Sequence, residues 1–167
     1  MYLTGGGSLW SYDLINHVLT EIGDFPYGTV IQVSINLDDE LWAVSATHNT
    51  AYMVDPTDAS VIVSVPLDIN ITNGDIVFTS DGSILTGKNT LRGVDLSTGI
   101  TTSINSLRRN VNGMAVLGQG KSDLIIATKD LDYFITIDPI TGEETGTYDA
   151  YYNGEKFTLS WGDMATG

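Results

Sequence analysis

The sequence predicts an all-β protein built from four repeats, and three observations support this fold class. Four aspartates recur at intervals of about 40 residues, each directly after a short apolar run: Asp13, Asp55, Asp95 and Asp138. Thr, Val, Ile, Tyr and Gly are plentiful, a mixture that suits strands and tight turns. No stretch of about 12 residues has the apolar periodicity of an amphipathic helix. A fixed period of this length in β-rich repeats predicts a β-propeller.

A hairpin turn is expected after each aspartate. The clearest turns are Asp95–Gly99 and Asp138–Gly142, and Asp13–Asn16 and Asp55–Asp58 are degenerate versions. An aspartate at the first turn position can accept backbone N–H bonds, and a glycine at the exit tolerates a positive φ. We therefore expect the four aspartates to be turn residues and not catalytic residues.

Strands are expected on both sides of each turn. The Thr- and Val-rich runs after the turns are predicted to be outer strands: Val18–Ile22, Ser60–Val65, Thr101–Ile104 and Glu144–Tyr148. Short apolar runs further on are predicted to be inner strands: Val30–Ile35, Asp75–Phe78, Met114–Leu117 and Asp163–Ala165. Four strands per repeat, ordered from the inside outwards, are typical of a propeller blade.

The two ends of the chain predict how the ring closes. The chain begins in the second strand of a blade, since Leu3–Leu14 aligns without gaps on Leu85–Leu96, and it ends in an inner strand. We predict one β-propeller domain, residues 1–167, with four blades of four antiparallel strands. The repeats are roughly 1–29, 30–72, 73–111 and 112–160, and a closing strand, 161–167, pairs with the N-terminal strands and removes two free edges. In the alternative, terminal strand exchange joins two chains in an eight-bladed homo-oligomer.

The aspartate turns resemble those of quinoprotein-like β-propeller repeats. Their phrase aspartate–x–x–threonine–glycine occurs in full as Asp95–Gly99 and Asp138–Gly142. The resemblance implies the type of blade. It carries no catalytic residue over to this chain, and we expect no cofactor.

Composition narrows the classes of partner. The net charge is −14, and Arg108 and Arg109 are the only adjacent basic residues, so nucleic acid is not an expected ligand. No run approaches the roughly 18 apolar residues of a membrane span, and no signal peptide is visible at the N-terminus. Cysteine is absent, which excludes disulfides. We expect an extracellular or virion-associated protein that does not insert into membranes.

Two acidic clusters are expected to be surface turns and not binding or catalytic sites. Asp38, Asp39 and Glu40 form the densest acidic group, and Asp130 and Asp132 have alternate spacing. No EF-hand pattern surrounds the first group. The second group is expected on a loop between strands, where a plain surface turn is favoured. The two histidines, at positions 17 and 48, are far apart in the sequence. We expect no metal site.

Aromatic residues near the C-terminus are the strongest candidates for a binding site. Tyr148, Tyr151, Tyr152 and Asn153 lie in a segment predicted to be a loop that ends at Gly154, and Trp161 follows it. Exposed aromatic rings can stack on a sugar or anchor a protein partner. The alternative is a hydrophobic lid on the last blade.

These observations favour a binding or assembly module without enzymatic activity. A rigid propeller would display loops to a glycan or protein partner, as part of a bacterial surface protein or a virion. One alternative is a propeller hydrolase or lyase that uses the acidic loops around Asp39, Asp81 and Asp130. Another is a purely structural subunit that forms rings.

Overall fold

The computed structural model describes residues 1–5, 7–26, 28, 30–71, 75–80, 82–87, 89–107, 110–116, 124–128 and 133–157. These residues form strands joined by turns and contain no helix, which confirms the all-β prediction. Within these ranges there is accordingly no helix of the length and apolarity needed to cross a membrane. The predicted closing strand 161–167, Asp81, Asp130, Asp132, Arg108 and Arg109 lie outside the described residues.

The strands form four antiparallel sheets and one short hairpin. The first sheet has three strands: β1 (Tyr2–Gly5), β2 (Ser8–Asp13) and β3 (Val18–Asp24). The second has four: β4 (Val30–Ile35), β5 (Leu41–Ser45), β6 (Thr50–Val54) and β7 (Val61–Pro66). The third contains β8 (Ile76–Thr79), β9 (Gly82–Gly87), β10 (Thr90–Val94) and β11 (Thr101–Ser106). The fourth contains β12 (Val111–Val116), β13 (Leu124–Thr128), β14 (Tyr133–Ile137) and β15 (Glu144–Asp149), and the hairpin pairs β16 (Tyr151–Tyr152) with β17 (Glu155–Lys156).

Consecutive sheets pack face to face in the order of the chain. Strand β1 lies against β4, β4 against β8, and β8 against β12, so the first strands of successive sheets are neighbours. An apolar cluster fills each of the three spaces between consecutive sheets. Among the described residues, no such cluster joins the fourth sheet to the first. The arrangement is propeller-like, and the described residues leave it open.

The strands of the second sheet are nearly continuous apolar runs because both faces of this sheet are covered. Alternate residues of a strand point to opposite faces, and this sheet is covered on both. Ala43 and Tyr52 pack in the cluster shared with the first sheet. Trp42 and Val44 pack in the cluster shared with the third. All four side chains are buried.

The four turn aspartates make the same hydrogen bond. In each turn the carboxylate Oδ1 accepts the backbone N–H of the second residue after the aspartate at 2.8 Å: Ile15 to Asp13, Thr57 to Asp55, Ser97 to Asp95 and Ile140 to Asp138. The fourth residue after each aspartate has a positive φ: His17, Ala59, Gly99 and Gly142. The predicted turns are therefore observed, including the two degenerate ones, where His17 and Ala59 take the conformation that glycine adopts most easily.

Candidate functional site

The predicted loop after the last outer strand forms a hairpin. Strands β16 and β17 pair as Tyr151 with Lys156 and Tyr152 with Glu155. Asn153 and Gly154 connect them with φ of 51° and 83°. Two consecutive positive φ values are those of a type I′ turn, whose twist matches that of the flanking strands. The loop prediction was wrong because an Asn-Gly pair directly after two tyrosines favours a tight hairpin over a loop.

The base of this hairpin is fixed to the fourth sheet. The Phe157 N–H donates to the carbonyl oxygen of Ala150 at 3.1 Å, which extends the hairpin by one residue pair. Ala150 is fully buried. The Lys156 ammonium lies 3.0 Å from the Asp149 carboxylate, a half-exposed ion pair that contributes little free energy but favours one orientation of the hairpin.

The tyrosines of the hairpin are strongly exposed. Tyr151 is 59% exposed and Tyr152 is 71% exposed. Consecutive residues in a strand point to opposite faces, so the two rings project from opposite sides of the hairpin. Tyr148 lies apart from them, on β15, opposite Phe134 of β14. Of the predicted site residues, the structure brings Tyr151, Tyr152 and Asn153 together on one hairpin. Trp161 lies outside the described residues.

The acidic loop between β4 and β5 is organised by an asparagine. The Asn36 Oδ1 atom accepts the N–H groups of Asp38 at 3.0 Å and Glu40 at 2.8 Å, and Asn36 Nδ2 donates to the Glu40 carboxylate at 2.7 Å. Asp39 sits at the exposed tip with φ of 61°. The described residues contain no group of three or more histidine or acidic side chains that could hold a metal ion. The hydrolase or lyase hypothesis for Asp39, Asp81 and Asp130 stays a prediction.

A cleft of about 530 Å³ lies between the turns of the third and fourth sheets. Its lining combines aliphatic and hydroxyl side chains and includes Ile84, Ile100 and Ile140, together with Asp95. The side-chain hydrogen bond from Ser97 to the Asp95 carboxylate is the main reason that the pKa of Asp95 is lowered from 3.8. Asp95 is therefore held as the ionised acceptor of its own turn at neutral pH.

One buried acidic residue was not singled out from the sequence. Asp75, immediately before β8, is only 3% exposed. Its Oδ1 atom accepts the Ile76 N–H at 2.7 Å, and its Oδ2 atom accepts the Met114 N–H of β12 at 2.5 Å. The Asp75 N–H in turn donates to Thr86 Oγ1 at 2.8 Å. The carboxylate thus joins the third sheet to the fourth. In the sequence, a charged residue at the start of an apolar inner strand could have indicated this buried role of Asp75.

Comparison with known proteins informs the fold alone. No protein-family model and no curated protein matches the chain. Among solved structures, the chain is similar to hydrazine synthase from Kuenenia stuttgartiensis, a β-propeller-containing protein, with a TM-score of 0.57 at 14% sequence identity. The likeness covers 87% of this chain and 44% of that chain, so this chain spans less than half of its length. A likeness at this identity is consistent with a propeller-like arrangement of the sheets and says nothing about activity.

Proposed function

We propose that the chain is a non-enzymatic binding module whose rigid sheets present the Tyr151–Tyr152 hairpin to a protein partner. The observation that carries this proposal is the high exposure of two adjacent tyrosines on a tightly turned hairpin. Tyrosine offers a large amphipathic contact surface and loses little conformational entropy on binding. A short hairpin fixed at its base is already ordered, so association need not order it.

The geometry of the hairpin favours a protein over a glycan. Stacking on a sugar uses a flat platform of rings on one face, whereas Tyr151 and Tyr152 project from opposite faces of the hairpin. A protein cleft can enclose both faces and bury both rings. Burial of anchoring aromatic side chains in pockets is the usual origin of binding hot spots. A glycan remains an outcome of the experiment below.

The charge of the chain indicates the kind of cleft that would accept the hairpin. The net charge of −14 creates a negative potential around the whole module. Complementary charge on a partner accelerates association and disfavours wrong partners. We therefore expect the cleft of the partner to have a basic rim. A module of this kind suits a bacterial surface protein or a virion, and we propose an extracellular or virion-associated location.

We also propose that the four sheets are four blades of a β-propeller. The first sheet has three strands while each of the others has four. Residues 161–167 are proposed to add the missing inner strand beside a β1 strand, either of the same chain or of a second copy. The sequence Gly162-Asp163-Met164 repeats Gly74-Asp75-Ile76, which leads into the inner strand of the third sheet. Pairing there would cover the free edge of the first sheet.

Comparative capture tests the binding proposal. The wild-type module and a Tyr151→Ala/Tyr152→Ala variant are immobilised, and proteins from the source cells and their medium are captured and identified. Purified candidates are then titrated, and we expect the double variant to bind at least about 100-fold more weakly, since each buried anchor contributes roughly 2 kcal/mol. Leu37→Ala, at an exposed aliphatic residue distant in sequence, is the matched control.

The same variants define the contradicting result. If every captured protein binds the double variant and the wild type equally, the hairpin is not the contact site. If the wild type binds a glycan array, the double variant does not, and no protein is captured, the ligand is a glycan. The proposed class of ligand is then wrong. Circular dichroism should show the same folded state for all variants, because the replaced side chains are exposed.

A further inference from the structure

The first sheet has an uncovered face that its equivalents do not have. The residue one position before the turn aspartate faces the preceding sheet, and it is buried in the second, third and fourth sheets: Val54, Val94 and Ile137. In the first sheet this residue is Tyr12, which is only partly buried. Leu3, on the same strand pair, is 38% exposed, although Ala43 in the matching pair of the second sheet is fully buried.

The fourth sheet has the complementary uncovered face. The residue four positions before the turn aspartate faces the following sheet, and in the first three sheets it is 0% exposed: Leu9, Ala51 and Leu91. The equivalent residue of the fourth sheet is Phe134, which is only partly buried. Tyr148, directly opposite Phe134 in the register, is 56% exposed. An aromatic pair therefore stands where a following sheet would pack.

The same contact recurs at the outer edge of each internal boundary. The residue ten positions after the turn aspartate of one sheet touches the turn of the next. Gly23 lies against Ala59, Val65 lies against Gly99, and Asn105 lies against Gly142. The Asn105 side chain also donates to the Gly142 carbonyl oxygen at 3.0 Å. By the same count, the equivalent residue of the fourth sheet is Tyr148, and the equivalent turn residue of the first sheet is His17.

These edge contacts constrain the curvature of the array. Four sheets that fill a circle alone stand a quarter turn apart and diverge strongly towards their outer strands. Contact between the outer strand of one sheet and the turn of the next favours a smaller angle between the two sheets, as in rings of more blades.

We infer that a second copy of this chain completes the ring, so that two four-sheet arcs form one eight-bladed propeller. The fourth sheet of each copy packs on the first sheet of the other. Phe134 and Tyr148 cover Leu3 and Tyr12, and the Tyr148 ring meets the turn at His17. A two-fold axis makes the two junctions identical and closes the assembly. The inference rests on the blade assignment proposed above and extends it, since each junction continues an interface that the chain already forms three times.

Charge sets a condition on this assembly. Each copy has a net charge of −14, so two copies repel one another at long range. Salt screens such repulsion over about 8 Å at physiological ionic strength, while the apolar contacts of the junction are little affected. The dimer should therefore strengthen as the salt concentration rises.

The mass of the native protein is the first measurement. Light scattering coupled to size exclusion should give twice the 18.0 kDa of one chain. Phe134→Asp should raise the dissociation constant of the dimer at least about 100-fold, because it places a charge in the junction. Ile140→Asp, at a residue that is 67% exposed in the turn of the same sheet, should leave it unchanged. A wild-type mass of one chain at high salt overturns the inference.

Cross-linking of single-cysteine variants supplies a second test, since the natural chain contains no cysteine. His17→Cys protein is mixed with Tyr148→Cys protein and treated with a short bis-maleimide. A product of twice the mass supports the inference, and His17→Cys mixed with Asn105→Cys should give none. If only a doubly substituted chain reacts, within itself, the ring closes in one chain and the inference fails. No product in either case shows that the ends do not meet, which also overturns it.

Failure of this inference is distinguishable from failure of the proposed function. Partner binding is measured with the Tyr151 and Tyr152 variants, and those residues take no part in the cross-link. If the protein is a monomer and the Tyr151 and Tyr152 substitutions still weaken partner binding, the proposed function holds. Only the two-copy ring would then be excluded.

Discussion

Replacing Asp75 by alanine should destabilise the protein through the contact between the third and fourth sheets. The carboxylate is buried and accepts hydrogen bonds from the Ile76 and Met114 N–H groups. Alanine leaves both donors without this acceptor. Each buried unsatisfied donor costs about 1 to 3 kcal/mol. Alanine also removes the cost of burying a carboxylate, and this offsets part of the combined cost of the two donors. We expect the free energy of unfolding to fall by about 2 to 4 kcal/mol.

Two further variants separate the hydrogen bonds from the rest of the site. Asp75→Asn keeps one acceptor oxygen and turns an amide donor towards the second N–H group, so we expect roughly half of the loss. Asp38→Ala removes an exposed carboxylate and should change the free energy of unfolding by less than about 0.5 kcal/mol.

Urea denaturation at neutral pH measures these differences. In a background that carries Trp10→Phe and Trp161→Phe, the buried Trp42 reports through its fluorescence on the boundary between the second and third sheets. Circular dichroism reports on all strands. We expect the dichroism transition of Asp75→Ala to move to lower urea. A separation of the two transitions would show that the sheets no longer unfold as one cooperative unit. If Asp75→Ala unfolds within about 0.5 kcal/mol of the wild type, the carboxylate does not hold the two sheets together.

Three further predictions concern the turns. Gly99→Ala should destabilise the protein by more than about 2 kcal/mol, because Gly99 has a positive φ and its new Cβ would overlap the Pro66 carbonyl oxygen. Gly93→Ala is the control, because open space surrounds its new Cβ. In the same denaturation assay it should change the free energy of unfolding by less than about 1 kcal/mol. The carboxyl pKa of Asp95, followed by NMR, should lie below 3.8 and rise towards that value in Ser97→Ala, and an unchanged pKa in this variant would contradict the role of the hydrogen bond. Because the pKa of Asp95 is lower in the folded state, its interaction stabilises the protein above pH 3.8 and is lost as the pH falls through the folded pKa. The difference in unfolding free energy between wild type and Ser97→Ala should therefore become smaller in acid.

The turns and strand order could be predicted from the sequence because they depend on local chemistry. An aspartate that accepts the N–H two residues on needs no distant partner, so the period of Asp13, Asp55, Asp95 and Asp138 alone located the turns. Even the two turns without glycine keep the positive φ, since the surrounding strands impose it at His17 and Ala59.

The candidate site was only partly predictable. Aromatic composition identified Tyr151 and Tyr152, but the pairing with Glu155 and Lys156 that places their rings on opposite faces had to be seen in the structure. The role of Asp75 depends on Met114, a residue 39 positions away, and no local pattern reveals a contact between sheets. Tyr148 is close in sequence to Tyr151 and Tyr152, which suggested one tyrosine cluster. In the structure Tyr148 belongs instead to a face of the fourth sheet.

The free edge of the first sheet offers the most direct measurement of the central claim, that a further strand completes this sheet in a ring. Tyr12 N–H donates to the Met1 carbonyl oxygen at 2.8 Å, so by alternation the Leu3 N–H points to β2 and the Thr4 N–H points away from it, towards the edge. We predict that amide hydrogen exchange at Thr4, followed by NMR, is as slow as at Leu3, because an added strand accepts that N–H. Exchange at Thr4 at the rate of an unstructured peptide, while Leu3 stays protected, would show an open edge and contradict the account.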